Sequence, residues 1–133
     1  MSPSTLAAVD MYQGVAQSNV VFVGQKDHHE MVRLLLDGSI KRVREAKAAV
    51  TLKDFKKKSE LVTKAQKIIF GLRTTLDFEK GGEIAINLDK LYDYCLRTLT
   101  HAHTRNDLDK FSEVEGILED LLTSWIQIRK QVR

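Results

Sequence analysis

Proline is almost absent from this sequence: the chain of 133 residues contains only Pro3. A proline inside a helix removes a backbone hydrogen bond and clashes with the preceding turn. Because none follows residue 3, nothing in the rest of the chain is forced to break a helix. Cysteine is equally scarce. Cys95 is the only one, which excludes an internal disulfide and agrees with a reducing compartment.

Long apolar runs and a large excess of one charge are also lacking. No stretch approaches the roughly 20 apolar residues that cross a bilayer. The N-terminus has no basic region followed by an apolar run, so we expect neither membrane insertion nor a secretory signal. The 21 basic and 18 acidic residues leave a net charge of +3, which gives no reason to expect nucleic-acid binding. The predicted location is the cytoplasm.

Residues 1–26 differ from the remainder of the chain. Small and apolar residues dominate there, and Gly14 and Gly24 interrupt any helical period. We interpret this segment as an N-terminal arm that packs on another surface. Residues 27–133 instead carry apolar residues at steps of three and four throughout, and this spacing predicts helices.

The second region, residues 27–133, is predicted to form four helices. Asp27 and Glu30 make a capping box at the first start, Gly81-Gly82 mark a turn, and Asp107 is the predicted cap of the last helix. The predicted spans are about 27–50, 54–78, 83–103 and 108–130. Short loops between helices of similar length imply antiparallel neighbours. The expected fold is all-α, an antiparallel up-down four-helix bundle with an N-terminal arm or short helix.

The apolar stripes are broader than a bundle core requires. In the last helix, Ile117, Leu122 and Ile126 widen the stripe beyond what one neighbouring helix would cover. Such surplus often marks a groove for a helical or extended peptide. The alternative is that the arm fills the surplus permanently.

A basic cluster stands near the start of the second predicted helix: Lys53, Lys56, Lys57 and Lys58. Positive charge at a helix N-terminus opposes the helix dipole, so local stability does not explain it. A solvated surface is the favoured interpretation, and a site for an acidic partner is the alternative.

No pattern of catalytic or metal-binding residues emerges. His29 and Glu30 begin an HExxH-like motif, but Arg33 stands where its second histidine belongs. His101 and His103 are two residues apart and point to different sides of a helix. Cys95 lies on an apolar stripe, which favours a buried structural thiol. We therefore predict no enzyme activity, metal or cofactor, although a metal site remains open if the histidine pairs converge.

The segment GGEIAINLDKLYDYCLRTL, residues 81–99, carries a specific resemblance. Its Gly-Gly-Glu-Ile-Ala start, its Asn-Leu pair and its Leu-Tyr-x-Tyr resemble the flagellar secretion chaperones of the FliS type. Leu36-Asp37-Gly38 is similar to that family's Leu-Tyr-Asp-Gly, Tyr12-Gln13 to its N-terminal tyrosine motif, and Trp125 to its late tryptophan. Two departures stand out: Leu36 replaces the tyrosine, and His28 replaces a common proline.

The resemblance implies a chaperone that binds the disordered C-terminal segment of flagellin and prevents its premature polymerisation. It implies delivery of flagellin to a component of the flagellar type III export gate, and leaves a cochaperone or regulator open. It also implies that the arm covers part of the apolar surface until flagellin binds. The alternative function is a helical adaptor for another export substrate or regulator.

The predicted functional residues follow from these two lines of reasoning. Tyr12 is expected to anchor the arm, and Asn87 is a buried polar link between helices or, less favoured, a groove contact. Tyr94 is expected to be partly exposed, and Gly38 to permit close approach of a neighbouring element. The full set of predicted partner-binding residues is Tyr12, Gln13, Ile86, Asn87, Tyr94, Leu96, Ile117, Leu122 and Ile126. The predicted structural motif residues are Asp37, Gly38, Gly81, Gly82 and Glu83.

Overall fold

The computed structural model describes residues 28–132, which form four α-helices and no strand. The helices are α1 (His28–Thr51), α2 (Phe55–Thr74), α3 (Phe78–Arg105) and α4 (Leu108–Val132). This confirms the predicted all-α, four-helix architecture. The predicted arm, residues 1–26, and the Asp27 cap lie outside the described residues, so both stay predictions.

The helices are joined by turns of only two or three residues. Turns this short make successive helices antiparallel. The α1 helix packs most extensively on α2 and also contacts α4, which closes the ring, whereas α3 and α4 share the least contact of the four neighbouring pairs. The bundle is therefore an up-down ring whose loosest seam lies between α3 and α4.

The core consists of one buried stripe from each helix. Val43, Ala65, Cys95 and Leu118 have no exposed surface at all, and the large rings of Phe111 and Tyr92 are buried beside them. Full burial of a large apolar side chain contributes about 1.5–3 kcal/mol. Tyr92 is 4% exposed and Tyr94 is 36% exposed, which confirms the expected partial exposure of Tyr94.

Aspartates cap three of the helices. The carboxylate of Asp54 accepts from the Lys57 N–H at 3.2 Å, and that of Asp77 accepts from Glu79 and Lys80 at 3.0 and 3.1 Å. Asp107 accepts from Asp109 and Lys110 at 3.0 and 3.3 Å, which confirms it as a cap. Each cap satisfies backbone donors that lack a partner within the helix.

The boundary between α2 and α3 was predicted wrongly. The second helix ends at Thr74 rather than near Phe78, and the third begins at Phe78 rather than Glu83. The hydroxyls of Thr74 and Thr75 bond back to the carbonyls of Gly71 and Leu72 at 2.8 and 2.6 Å. These local bonds compete with helix continuation, and Asp77 then starts the next helix.

The predicted glycine turn is a kink inside α3. Gly82 has φ 51° and ψ −125°, a conformation that only glycine adopts without strain. A Cβ on Gly81 would lie 2.9 Å from the Cβ of Ala85, so this position is sterically closed. At Gly38 the expectation of close approach is wrong, because a Cβ there would lie at an ordinary 3.7 Å from Ile68 Cδ1.

The basic cluster is divided by the fold. Lys53, Lys56 and Lys57 are exposed, but Lys58 is only 5% exposed. Its ammonium donates to the His103 carbonyl at 2.9 Å and to Asn106 Oδ1 at 2.6 Å, which ties α2 to the end of α3. Burial lowers the pKa of Lys58. The prediction of a solvated surface was therefore wrong for Lys58.

Replacing Gly82 with alanine should lower the free energy of unfolding by about 1–2 kcal/mol, because an L residue is strained at positive φ. The matched control is Gly116→Ala on α4, where open space receives the new methyl group. That variant should raise stability by up to about 1 kcal/mol, the helix propensity of alanine over glycine. Urea denaturation followed by circular dichroism measures both. Equal effects would contradict the strain assigned to Gly82.

Candidate partner-binding groove

Large apolar side chains remain exposed mainly at one end of the bundle. This end combines the starts of α1 and α3 with the ends of α2 and α4, and it is where the chain enters from residues 1–27. Its exposed apolar residues are Leu34, Phe70, Phe78, Ile84, Ile86 and Ile128. Exposed apolar surface concentrated in this way is typical of an interaction site.

The seam between α3 and α4 carries a depression, and helix spacing shows which residues continue the same surface. A depression of about 220 Å³ in its upper half is lined by Tyr94, Arg97, Thr98, His101 and Lys110, which shows the sides that α3 and α4 turn to the seam. Residues seven apart share a helix face. The α3/α4 groove is therefore extended by Ile84, Asn87 and Leu91 of α3 and by Ile117, Leu121 and Ile128 of α4.

The lower half of the α3/α4 groove is apolar and incompletely buried. Ile84 is 72% exposed and Ile128 is 46% exposed. Leu91, Ile117 and Leu121 are half-buried below them. This is the surface that the least closely packed helix pair leaves uncovered, and a partner's apolar side chains could complete it.

The upper half of the groove is polar, and its charges are already paired. The Tyr94 hydroxyl donates to Glu113 Oε2 at 2.5 Å, and Lys110 lies 3.6 Å from the same carboxylate. Arg97 donates to Asp93 at 2.9 Å. Because these groups neutralise one another, this half offers hydrogen bonds rather than a strong field of one sign.

A reciprocal contact joins α1 and α4 at the same end of the bundle. The Trp125 indole donates to the His29 carbonyl at 2.8 Å, and His29 Nε2 lies 2.7 Å from the Trp125 carbonyl. Since a carbonyl only accepts, His29 Nε2 carries a proton in this contact. The rings stack with centroids 4.6 Å apart. The end of α4 is thereby held in place beside Ile128.

Three of the predicted partner-binding residues lie in the α3/α4 groove: Asn87, Tyr94 and Ile117. Asn87 is exposed, so its favoured interpretation as a buried link between helices was wrong. Tyr12 and Gln13 lie outside the described residues. Of the motif residues, Asp37 and Glu83 are exposed, on α1 and just after the α3 kink respectively.

The other predicted apolar residues lie on different seams. Leu96 lies on the α2 side of α3, since its carbonyl accepts from Gln66 of α2. Ile86 lies on the same side, three residues before Asp89, whose carboxylate binds Arg73 of α2 at 2.6 Å. Leu122 and Ile126 stand seven residues after Glu115 and Glu119, which pair with Arg44 of α1. The five predicted apolar residues thus divide among three seams.

Four groove residues were not predicted to bind a partner: Ile84, Leu91, Leu121 and Ile128. In the sequence, Ile84 and Leu91 were noted as parts of the segment that carries the family resemblance. The signal that could have found them is the width of the stripes on α3 and α4. An apolar stripe wider than one neighbour covers must have an exposed border.

Comparison with known proteins bears on what this groove serves. The family described as flagellar protein FliS matches residues 10–132. The flagellar secretion chaperone FliSB of Pseudomonas aeruginosa is 37% identical over 120 residues, which are 90% of this chain and 94% of the relative. The flagellar secretion chaperone FliS of Salmonella typhimurium is 38% identical over 125 residues, 93% and 91% of the two chains. That of Bacillus subtilis is 35% identical over 98 residues, 74% and 72%.

This chain belongs to the FliS family. The resemblance seen in residues 81–99 is thereby confirmed across most of the sequence. The FliS relatives are named as chaperones, not as enzymes. No helix within residues 28–132 combines the length and the hydropathy that crossing a membrane requires.

Two possible reactive centres of this FliS chain, a metal cluster and the cysteine thiol, can be assessed directly. No group of three or more potential ligands among residues 28–132 could hold a metal ion. Cys95 is fully buried, and burial raises the pKa of its thiol to about 12, with the charge of Glu113 adding to the effect. The thiolate is the nucleophilic form, so Cys95 is a core residue rather than a nucleophile.

Cys95 should resist modification in the native protein. A pKa near 12 instead of 9 reduces the thiolate fraction at neutral pH roughly a thousandfold, and burial also blocks access. An aromatic disulfide reagent should therefore react slowly with the native protein at pH 7.5 and rapidly in guanidinium chloride. Rapid native reaction would show that the thiol is accessible.

Proposed function

We propose that this FliS protein is a cytoplasmic chaperone that binds the disordered C-terminal segment of flagellin. Binding would prevent premature polymerisation and allow the protein to escort flagellin to the flagellar type III export gate. The observation that carries the proposal is the exposed apolar half of the α3/α4 groove. Family membership supports it, since the relatives are named flagellar secretion chaperones.

The groove provides a definite but limited amount of binding energy. Its five apolar residues, Ile84, Leu91, Ile117, Leu121 and Ile128, are exposed or half-buried in the free protein. Covering the remaining surface contributes about 1 kcal/mol each, or about 5 kcal/mol together, at the usual value per unit area. Ordering a disordered segment costs about 2–5 kcal/mol. The groove alone therefore gives weak binding.

Useful affinity requires that the flagellin segment extend beyond this groove. Ile86 and Leu96 on the α2/α3 seam, and Leu122 and Ile126 on the α4/α1 seam, are further partly exposed apolar residues. A segment that wraps across several seams adds their contributions while each contact stays weak. Such a complex can form tightly and still be dismantled stepwise at the gate, because no single contact dominates. No cofactor is needed for this mechanism.

Binding of flagellin should depend on the exposed groove residues. In titration calorimetry with a synthetic flagellin C-terminal segment, Ile84→Glu should weaken binding at least about tenfold, because it removes apolar area and buries a charge. Leu52→Glu is the matched control: Leu52 is 78% exposed, compared with 72% for Ile84, and lies at the opposite end of the bundle.

Two results would contradict the proposal at different levels. If the wild-type chain does not bind the flagellin segment, the alternative of an adaptor for another export substrate or regulator is supported. If it binds but Ile84→Glu has no more effect than Leu52→Glu, flagellin binding stands and the α3/α4 groove is the wrong site.

We further propose that Tyr12 and Gln13 hold the N-terminal arm over this surface in the free protein. The chain enters at the end of the bundle where exposed apolar residues concentrate. A tyrosine ring supplies apolar area, and its hydroxyl can remain hydrated at the rim.

Removing the Tyr12 ring should loosen the arm. Tyr12→Ala should speed hydrogen exchange across residues 5–23 and increase the affinity for the flagellin segment, because the arm no longer competes for the groove. Mass spectrometry of wild type and variant measures exchange. Unchanged exchange across those residues would reject the anchor.

A further inference from the structure

The turn between α1 and α2 carries a second exposed surface, which the proposed flagellin site does not use. We name it the α1/α2 corner and define it as Leu52, Lys53, Phe55, Lys56 and Lys57. All five side chains are exposed. Leu52, at 78%, has the highest exposure of any large apolar side chain among residues 28–128, and Phe55 is 45% exposed.

Local stability does not account for the residues at this corner. Lys53 adopts φ 60°, where glycine is the usual residue at a helix end and other residues are strained by roughly 1 kcal/mol. Lys56 and Lys57 lie in the first turn of α2, where positive charge opposes the helix dipole. Leu52 exposes its side chain to water. Features that are locally unfavourable and occur together often mark a functional site.

The corner is nevertheless firmly built. The backbone N–H of Lys53 donates to Val50 at 3.0 Å, and that of Asp54 donates to Ala49 at 2.8 Å. The Asp54 carboxylate is used in capping Lys57, and Lys58 points inward to the end of α3. The exposed groups are therefore presented on a fixed backbone, as a docking surface requires.

Lysines continue from the corner along one exposed face of α2. Lys57 and Lys64 are seven residues apart and Lys56 and Lys67 are eleven apart, so the four form two rows along the outer side of α2, about 100° from each other. Within residues 28–128 none of the four forms an ion pair, as is also true of the exposed Lys41, Lys80 and Lys90. The α2 lysines differ in that four of them lie together on one helix. Glu60 is the one acidic residue on this face, so four lysines and one glutamate leave a net +3.

We propose that the α1/α2 corner and these α2 lysines form a docking surface for an acidic amphipathic helix of another protein. Leu52 and Phe55 would contact the partner's apolar residues, and the lysines would face its carboxylates. The basic residues from Lys56 to Lys67 extend about 16 Å along the helix axis. A helix of similar length lying alongside α2 would place carboxylates opposite all of them, and acidic lipid vesicles serve as the competing surface in the test.

The two proposed surfaces lie far apart. The corner adjoins the end of α3, because Lys58 bonds to the His103 carbonyl, and Ile84 lies near the start of that helix. The rise of the helix between residues 84 and 103 is roughly 28 Å. A partner at the corner would therefore leave the apolar half of the α3/α4 groove free, and the corner proposal does not depend on flagellin being the cargo.

The test uses a synthetic 20-residue helix with leucine on one face and glutamate on the other, labelled for fluorescence anisotropy. We expect Lys56→Glu/Lys57→Glu to weaken binding of this peptide at least about tenfold. Added salt should also weaken peptide binding by the wild-type protein. The matched control, Lys80→Glu/Lys90→Glu, makes the same change in net charge at two exposed lysines of α3. It should change the affinity less than about twofold.

A second pair of variants tests the apolar contact. Leu52→Ser should weaken peptide binding about fivefold or more, and Ile84→Ser, which removes an equally exposed apolar residue at the other end, should not. Thermal unfolding should show that none of the four variants is destabilised, since every substituted side chain is exposed. Lys56→Glu/Lys57→Glu should unfold at a slightly higher temperature, because negative charge at a helix N-terminus is favourable.

Several results would overturn the proposal. Absence of peptide binding would reject the docking surface. Equal weakening by both double variants would leave only unspecific charge attraction. Tighter binding to phosphatidylserine vesicles than to the peptide, lost in Leu52→Ser, would identify a lipid surface instead. Weakened flagellin binding in the corner variants would assign the corner to the cargo site. Failure of Ile84→Glu to weaken flagellin binding would bear on the α3/α4 groove alone and not on the corner.

Discussion

Each helix of this bundle has only two neighbours, and that constraint determines which surface stays exposed. A helix in a four-membered ring buries the stripe that faces the centre and part of the borders facing its neighbours. Apolar residues beyond those borders have nothing in the bundle to cover them. In α4, Phe111, Val114 and Leu118 face the centre and are buried, while Ile117 and Ile128 on the border are not. The α3/α4 groove is the direct result of stripes wider than the ring can enclose.

The seam between α3 and α4, which has the least contact of the four, stays open because other contacts hold both helices in place. Lys58 fastens α2 to the end of α3, and Arg73 bridges to Asp89 and Asp93 at 2.6 and 3.2 Å. On the other side, Arg44 and Lys47 reach Glu115, whose pKa is lowered by these bonds although burial opposes the shift. Both α3 and α4 are therefore held from their outer neighbours. Polar contacts on those two sides leave the seam between them free to remain apolar and accessible.

The spacing of apolar residues predicted much of the fold, because the side of a helix on which a residue lies largely decides whether it is buried. The burial of Tyr92 and Cys95, the partial exposure of Tyr94, and the cap at Asp107 all follow from positions along one helix. The groove could not be derived in the same way. Spacing places Leu96 and Leu91 on opposite borders of the apolar stripe of α3, but it does not indicate which border meets α2 and which meets α4. Ile86, Leu122 and Ile126 were assigned to one groove for this reason.

Long-range contacts account for the remaining discrepancies. Lys58 appeared to belong with its lysine neighbours, because nothing local indicates that the His103 carbonyl lies within reach of its ammonium. Asn87 appeared to need buried partners, yet its border of α3 faces the open seam. The environment of the Lys58 side chain is set by a residue distant in sequence, and that of Asn87 by the absence of a residue that would cover it. Propensity and spacing contain no information about either.

The two ends of the molecule differ in the physical basis of the binding they offer. The groove presents apolar surface with paired charges, so its attraction is short-ranged, insensitive to salt and tolerant of sequence. The α1/α2 corner presents unpaired cations around two apolar side chains, so its attraction is longer-ranged and screened by salt. A flexible export cargo suits the first kind of surface, because many weak apolar contacts can form and release in sequence. A partner that must be found quickly suits the second, because charge increases the rate of encounter.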